Sequence, residues 1–208
     1  NRVFLYYGFC PLEEDPENPM LHYHDYSIVC ELETDMVTVK TEPKPLIPGV
    51  GKAENTGFEK HPFFEASSIR KIGEKYYFIY SSLLSHELCY AFSRYPDREF
   101  AFGGTIISNG DIGLNGRPEK DRVAYTGNNH GSVIEIQGKW YVFYHRHTQA
   151  VRCCRQACAE KIEILADGRI PQVEITSCGL NNELLRTKGC YSSAICCNLI
   201  GGNGAFHI

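Results

Sequence analysis

Glu65 lies in the run His61-Pro62-Phe63-Phe64-Glu65-Ala66-Ser67-Ser68-Ile69-Arg70-Lys71, among aromatic and small residues beside a strand-like stretch from Lys71 to Ser81. A carboxylate set against apolar rings loses hydration, which favours its protonated form. Near neutral pH a protonated carboxyl is what a general acid needs, and glycoside hydrolysis depends on one. The plain alternative is an exposed glutamate at a strand entrance. Other side chains with chemical potential follow. His130, in Asn129-His130-Gly131-Ser132, suits either a substrate contact or a hydrogen-bonded turn. In Tyr144-His145-Arg146-His147-Thr148 the two histidines would share one face of a strand, yet two ligands do not make a metal site. Arg155 offers a planar fork of donors suited to vicinal hydroxyls or carboxylates, with a surface salt bridge as its alternative and Arg152 as a competitor. Asn109 and Asp111, in Ser108-Asn109-Gly110-Asp111, read first as turn residues and second as contacts at a site rim.

The elements that must position these residues are strands. Ile69-Arg70-Lys71-Ile72-Gly73-Glu74-Lys75-Tyr76-Tyr77-Phe78-Ile79-Tyr80 aligns with Val133-Ile134-Glu135-Ile136-Gln137-Gly138-Lys139-Trp140-Tyr141-Val142-Phe143-Tyr144 after a slide of one residue in the turn. Both read as a hairpin around a short glycine turn. Arg2 to Tyr7 resembles the second half of a third copy, so Tyr7, Tyr80 and Tyr144 correspond. Further short strands are expected at Asp25 to Glu33 paired with Met36 to Lys40, and at Leu88 to Ser93 paired with Gly104 to Ser108. Another pair is Gln156 to Leu165 with Arg169 to Thr176, joined by Ala166-Asp167-Gly168. Glu42 to Pro62 is expected to be a long loop. No amphipathic helix of ten or more residues is evident. Recurring four-stranded units with a strong hairpin are the signature of a β-propeller blade, whereas a sandwich gives no reason for the recurrence. Three copies do not close a ring, so part of the ring is expected before residue 1.

Composition narrows the classes. The 208 residues, 43% hydrophobic and 12% aromatic, can bury a sizeable core as one domain and favour β structure. A net charge of −4 from well-mixed charges gives no basic stripe for nucleic acid, and no apolar span suggests a membrane helix. Seven of the 10 cysteines (Cys153, Cys154, Cys158, Cys178, Cys190, Cys196 and Cys197) fall after residue 150. Adjacent pairs on a strand point to opposite faces and chelate one metal poorly, so free thiols acting as small apolar residues are expected. With no signal-peptide pattern, this favours a reducing, cytoplasmic location. The tail, with its apolar run Tyr191 to Ile200, reads as a closing strand or the start of a following module. The expected division is therefore 1–176 and 177–208.

Five segments in order carry a resemblance: Leu5-Tyr6-Tyr7-Gly8, Phe64-Glu65-Ala66-Ser67-Ser68, Gly103-Gly104-Thr105-Ile106-Ile107, Asn129-His130-Gly131-Ser132 and Arg155-Gln156-Ala157-Cys158-Ala159-Glu160. Together they resemble glycoside hydrolase family 43, the five-bladed β-propeller β-xylosidases and α-L-arabinofuranosidases. The resemblance implies an all-β propeller, with about three blades in this chain, and an inverting, exo-acting hydrolase of arabinose- or xylose-bearing hemicellulose oligosaccharides. It implies Glu65 as general acid, and His130, Arg155, Arg146, Phe64 and Asn109 as substrate contacts. It also places His130 where a central calcium, bound through water, is compatible, with no cofactor required. Oligomeric state is not implied. The family's general base and a pKa-tuning aspartate have no matching context here, since Asp15 sits in an acidic loop and Asp25 enters an outer strand. Both are expected before residue 1. A non-catalytic carbohydrate-binding propeller is the alternative reading, and a generic interaction scaffold a third.

Overall fold

The structure is a computed structural model describing residues 2–13, 16–18, 23–127, 129–147, 155–181 and 188–190, and the backbone of 199–201 and 204–206. Arg152, Cys153, Cys154, Cys196, Cys197 and most of the run Tyr191 to Ile200 lie outside the described residues. The described chain is all-β, punctuated only by short 3-10 turns. No described helix is long and apolar enough to cross a membrane.

Three sheets dominate. The first runs β1 (Val3–Tyr7), β2 (Tyr26–Leu32), β3 (Lys44–Pro48). The second runs β4 (Phe63–Ile72), β5 (Lys75–Ser82), β6 (Glu87–Ser93), β7 (Ala101–Ser108). In the third, β9 (Lys139–His147) lies between β8 (Gly131–Ile136) and β10 (Arg155–Ile162). A small ribbon, β11 (Leu199–Gly201) with β12 (Gly204–Phe206), completes the list.

The two repeated hairpins form as read, and the slide between them has a backbone cause. In β4–β5, Ile72 pairs Lys75 and Gly73 supplies a positive φ of 58° at the first turn position. In β8–β9, Ile136 pairs Lys139, and Gln137 and Gly138 both have positive φ, 52° and 75°. Glycine therefore occupies the first turn position in one hairpin and the second in the other, because the two-residue turns differ in type. β1 pairs β2 as β5 neighbours β6 and as β9 pairs β10, which places Tyr7, Tyr80 and Tyr144 on equivalent strands.

Two expected strands do not form. Met36 to Lys40 makes only one isolated antiparallel bridge, Val39 to Leu32, and is otherwise a turn segment. Asp35 Oδ1 accepts from the amides of Val37 and Thr38, both at 2.9 Å, and Oδ2 accepts the Thr38 hydroxyl at 2.6 Å, while Met36 adopts φ 62°. Such local side-chain bonds compete with a ladder. The partner of β2 is instead β3, inside the stretch expected to be a loop. Its Pro45 and Pro48 argue against a central strand but are tolerated at a sheet edge. Arg169 to Thr176 is likewise no strand: the Val173 amide reaches the Ile106 carbonyl, whereas those of Ile175 and Thr176 donate to the Asp111 and Glu160 carboxylates.

The chain forms two compact units, one of residues 1–84 and 89–103, the other of 85–88 and 104–208. The first has a core of Phe63, Phe78, Tyr80, Ile47, Phe58 and Cys89 with smaller neighbours. The second buries Ile106, Ile107, Val133, Val142 and Tyr144. All six described cysteines are free, and four are buried, in keeping with their reading as small apolar residues.

Candidate functional site

In the first unit, β4 does not run evenly past β5. Its register breaks between Phe63 and Glu65 and again between Glu65 and Ser68, leaving Glu65 opposite Ser81 between two irregularities. Ala66 carries φ 65°, a left-handed conformation disfavoured for any residue with a Cβ. Bulges of this kind re-aim side chains, and strained backbone concentrates at functional positions. The half-buried Glu65 is thus set by the backbone on both sides. Phe63 anchors the segment from within, fully buried with ring centroids 6.1 Å from Phe78 and 5.9 Å from Tyr80.

Phe64 turns elsewhere. Its carbonyl accepts the Cys10 amide at 2.9 Å, and its ring lies 5.1 Å from Phe9, which in turn lies 5.5 Å from Tyr23. Phe9 follows Gly8, whose φ is 145°; a Cβ there would stand 2.9 Å from Ser27 Cα and 3.1 Å from the Tyr26 carbonyl oxygen. Only glycine lets the chain cross so close to β2. The residues Phe9 and Tyr23 escaped the sequence reading because they flank a loop rather than a periodic element. The aromatic character of Phe9 directly after the Leu5-Tyr6-Tyr7-Gly8 motif was the available signal.

In the second unit the strand pairing sorts the remaining candidates. Arg155 pairs His147 and Ala157 pairs His145, so Arg155, His145 and His147 project from one face of the sheet, and Arg146 from the other. His130 joins the first group: its amide donates to His145 Nε2 at 3.2 Å, and the rings meet edge-on at 5.2 Å. That acceptor role assigns the proton of neutral His145 to Nδ1. The His145 and His147 rings lie nearly parallel, 6.4 Å apart at 8°. Gly127 makes room for them, since a Cβ there would strike the His147 ring.

Asn109 is fully buried rather than on a rim. Its amide donates to the His86 carbonyl at 2.6 Å, and its Nδ2 to the carbonyls of Gly127 at 3.2 Å and His145 at 3.4 Å. Its Oδ1 accepts Asn129 Nδ2 at 3.5 Å. Asn109 therefore ties the end of β7 to the segment carrying His130 and to β9. Asp111, also buried, accepts the Ile175 amide at 2.9 Å, and burial pushes its carboxyl pKa up. Arg146 is engaged on the far face, donating to the Thr176 carbonyl at 2.7 Å and to Cys158 Sγ at 3.3 Å. Beside it, Glu160 accepts the Tyr144 hydroxyl, the Thr176 amide and the Thr176 hydroxyl; burial raises its pKa against the pull of those donors.

A calcium ion takes six to eight oxygen ligands. The groups bonded around His130 are the His145 imidazole and, through Asn129, the amide of Asn109. An imidazole and a side-chain amide are not the cage of oxygens that direct calcium ligation needs. His145 and His147 likewise gain no third metal ligand among the described residues.

No family model matches the chain. A xylosidase/arabinosidase of Thermoclostridium stercorarium is 48% identical over 202 residues, covering 97% of this chain and 41% of the relative. A solved GH43 β-xylosidase/α-arabinofuranosidase from a compost metagenome, crystallised with xylotriose in a calcium-free form, superposes with a TM-score of 0.63 at 21% identity, over 83% of this chain and 54% of that one. The chain is similar in sequence to xylosidase/arabinosidases and shares the fold of glycoside hydrolase family 43 enzymes. A xylosidase/arabinosidase of Bacteroides ovatus agrees at 32% identity over 152 residues, 71% of this chain and 42% of its own. The family 43 fold is a β-propeller, and the three large sheets account for about three of its blades. The chain spans about two fifths of the length of these curated relatives.

Proposed function

We propose that the chain carries the acid-bearing part of an inverting, exo-acting glycosidase that removes xylose or arabinose units from hemicellulose oligosaccharides. The observation that carries this reading is the double irregularity around Glu65, with Ala66 held left-handed, in a chain 48% identical to a xylosidase/arabinosidase. In this mechanism the Glu65 carboxyl donates its proton to the glycosidic oxygen as the bond from that oxygen to the anomeric carbon breaks. A water attacks the opposite face of the sugar, losing its proton to a carboxylate base roughly 6.5–9.5 Å from the acid. In the first unit Phe64 flanks the acid; in the second, His130 and Arg155 are the groups suited to sugar hydroxyls, with Asn109 holding the backbone around His145. Arg146, committed to Thr176 and Cys158, braces the sheet behind them. The base comes from a carboxylate outside these 208 residues. Residues 1–176 form the partial catalytic propeller, with 177–208 a closing strand or the start of another module.

The test replaces the matching segment of the Thermoclostridium relative with this chain. The chimera should hydrolyse an aryl xyloside or arabinofuranoside, and Glu65→Gln should lower the rate by about two to four orders of magnitude. The 208-residue chain alone should be inactive. Hydrolysis by that chain alone, abolished by Glu65→Gln, would show that it holds its own base. Sugar binding with an inert chimera would instead favour the non-catalytic carbohydrate-binding reading.

A further inference from the structure

Four of the described cysteines are buried, and one of them has ligand chemistry beside it. Along β6 the order is Glu87, Leu88, Cys89, so Glu87 and Cys89 project from one face of the sheet β4–β5–β6–β7. His61, just ahead of β4, brings its Nδ1 to 4.0 Å from the Cys89 sulfur. One ligand atom from each of His61, Glu87 and Cys89 lies within 4.8 Å of the other two. Cys89 and Glu87 are 0% and 3% exposed, while His61 is half-buried and gives the cluster its exposed side.

Each member is held from behind. The Tyr80 hydroxyl donates to the His61 carbonyl at 2.7 Å, and the His61 ring stacks on Phe102 at 4.7 Å and 9°. The Thr105 hydroxyl donates to Glu87 Oε2 at 2.9 Å, which orients the carboxylate. Cys89 sits in the core cluster with Phe58, Phe63 and Tyr80. Outer partners of this kind fix the ligands of a metal site. Zinc bonds sulfur at about 2.3 Å and imidazole nitrogen at about 2.0–2.1 Å, so a tetrahedral angle puts the two ligand atoms about 3.6 Å apart. The observed 4.0 Å needs to close by only about 0.4 Å. Thiolate, imidazole and carboxylate together suit zinc, whereas calcium and magnesium take oxygen ligands. A bound cation also neutralises a carboxylate that is costly to bury.

We propose that His61, Cys89 and Glu87 form a structural zinc site that ties the start of the acid-bearing strand β4 to β6. His61 supplies Nδ1, Cys89 its thiolate and Glu87 one carboxylate oxygen, with water as the fourth ligand. Binding releases the Cys89 thiol proton to solvent. The site uses none of the residues around His130, and the inference does not depend on the glycosidase reading.

Cobalt(II), a spectroscopic stand-in for zinc, tests this on the 208-residue chain. Bound cobalt should give a thiolate-to-metal charge-transfer band in the near ultraviolet and tetrahedral bands in the visible, and zinc should displace both. Cys89→Ser should abolish the charge-transfer band. His61→Gln and Glu87→Gln should each weaken zinc binding by more than about a hundredfold, and Thr105→Val, which removes only the outer hydroxyl, by about 10–100-fold. Zinc should raise the melting temperature of the wild type and leave that of Cys89→Ser unchanged. Thermal melts check that each variant is folded, and if Cys89→Ser does not fold, His61→Gln decides. Absence of the cobalt bands in the wild-type chain would overturn the site. So would a charge-transfer band that persists in folded Cys89→Ser, or zinc affinity unchanged in folded His61→Gln, since the metal would then be held by other cysteines.

Discussion

The Tyr144 hydroxyl donates to Glu160 Oε1 at 3.0 Å between the neighbouring strands β9 and β10, and that carboxylate also receives the Thr176 amide at 2.7 Å and the Thr176 hydroxyl at 2.6 Å. Glu160 thereby anchors the segment Arg169 to Thr176 that sequence patterning assigned to a strand. Removing it leaves buried donors without an acceptor. Glu160→Ala should cost about 2–4 kcal/mol in urea unfolding, and Tyr144→Phe about 1 kcal/mol. Burial raises the Glu160 pKa. A carboxyl whose folded pKa lies above its unfolded value binds its proton more tightly when folded. Its favourable contribution is full below the unfolded pKa and fades as pH rises through the folded one. Glu160→Gln, which keeps an acceptor oxygen, should therefore gain stability relative to wild type as pH climbs from about 4 towards neutrality.

Glu31 behaves in the opposite sense. Arg2 donates to its Oε2 from Nε at 3.1 Å and from a terminal nitrogen at 2.7 Å, and Lys40 donates to Oε1 at 3.0 Å. These bonds hold the Glu31 carboxyl down at about 2. Its stabilisation is present above the ordinary carboxylate range and is lost as pH falls through about 2. Acid titration of wild type against Glu31→Gln should show the two curves converging below that range. Arg2 and Lys40 are both largely exposed, so salt at about 1 M should shrink the difference. Parallel curves between pH 5 and 2 would remove Glu31 from this role.

What could be read from sequence was what recurs. The hairpins at Gly73 and Gln137-Gly138, the strands β6 and β7 and the propeller class follow from alternating apolar residues around glycine turns, a local signal. β3 was hidden because Pro45 and Pro48 mask an edge strand. The segment at Met36 keeps only the Val39 to Leu32 bridge because Asp35 satisfies the Val37 and Thr38 amides locally, and Arg169 to Thr176 forms no strand because two distant carboxylates take its amides. The site residues were legible as types. Their sorting was not, since only the β9–β10 register puts Arg155 beside His145 and His147 and turns Arg146 away. Register is a tertiary property.

Gly131 is a place where that register admits no side chain. A Cβ there would collide with the Phe143 carbonyl oxygen and approach Leu88 Cδ2 at 3.0 Å. Because Gly131 opens β8 directly after His130, Gly131→Ala should displace β8 and with it the His130 amide from His145 Nε2. Overpacking against backbone typically costs about 1–3 kcal/mol. Calorimetric melting should show a loss of that order. The His130 ring resonances should shift in NMR, whereas alanine at Gly138, where a Cβ meets nothing within 4 Å, should leave them in place despite its positive φ.

Ala66 makes the sharpest demand on the acid. Its φ of 65° strains any residue with a Cβ by about 1–2 kcal/mol, and a β-branched side chain is a far worse occupant. Ala66→Gly relieves that strain but adds unfolded-state entropy, two effects of similar size, so its unfolding free energy should change by less than about 1 kcal/mol. The same change loosens the peptide that aims Glu65. In the chimera with the Thermoclostridium relative, Ala66→Gly should therefore keep its melting temperature while the hydrolysis rate falls about tenfold, because small misplacements of a catalytic group are costly. Ala66→Val should lose both, with about 2 kcal/mol of stability gone as the strand straightens. Equal rates for alanine and glycine at this position would show that the left-handed turn does not orient the acid.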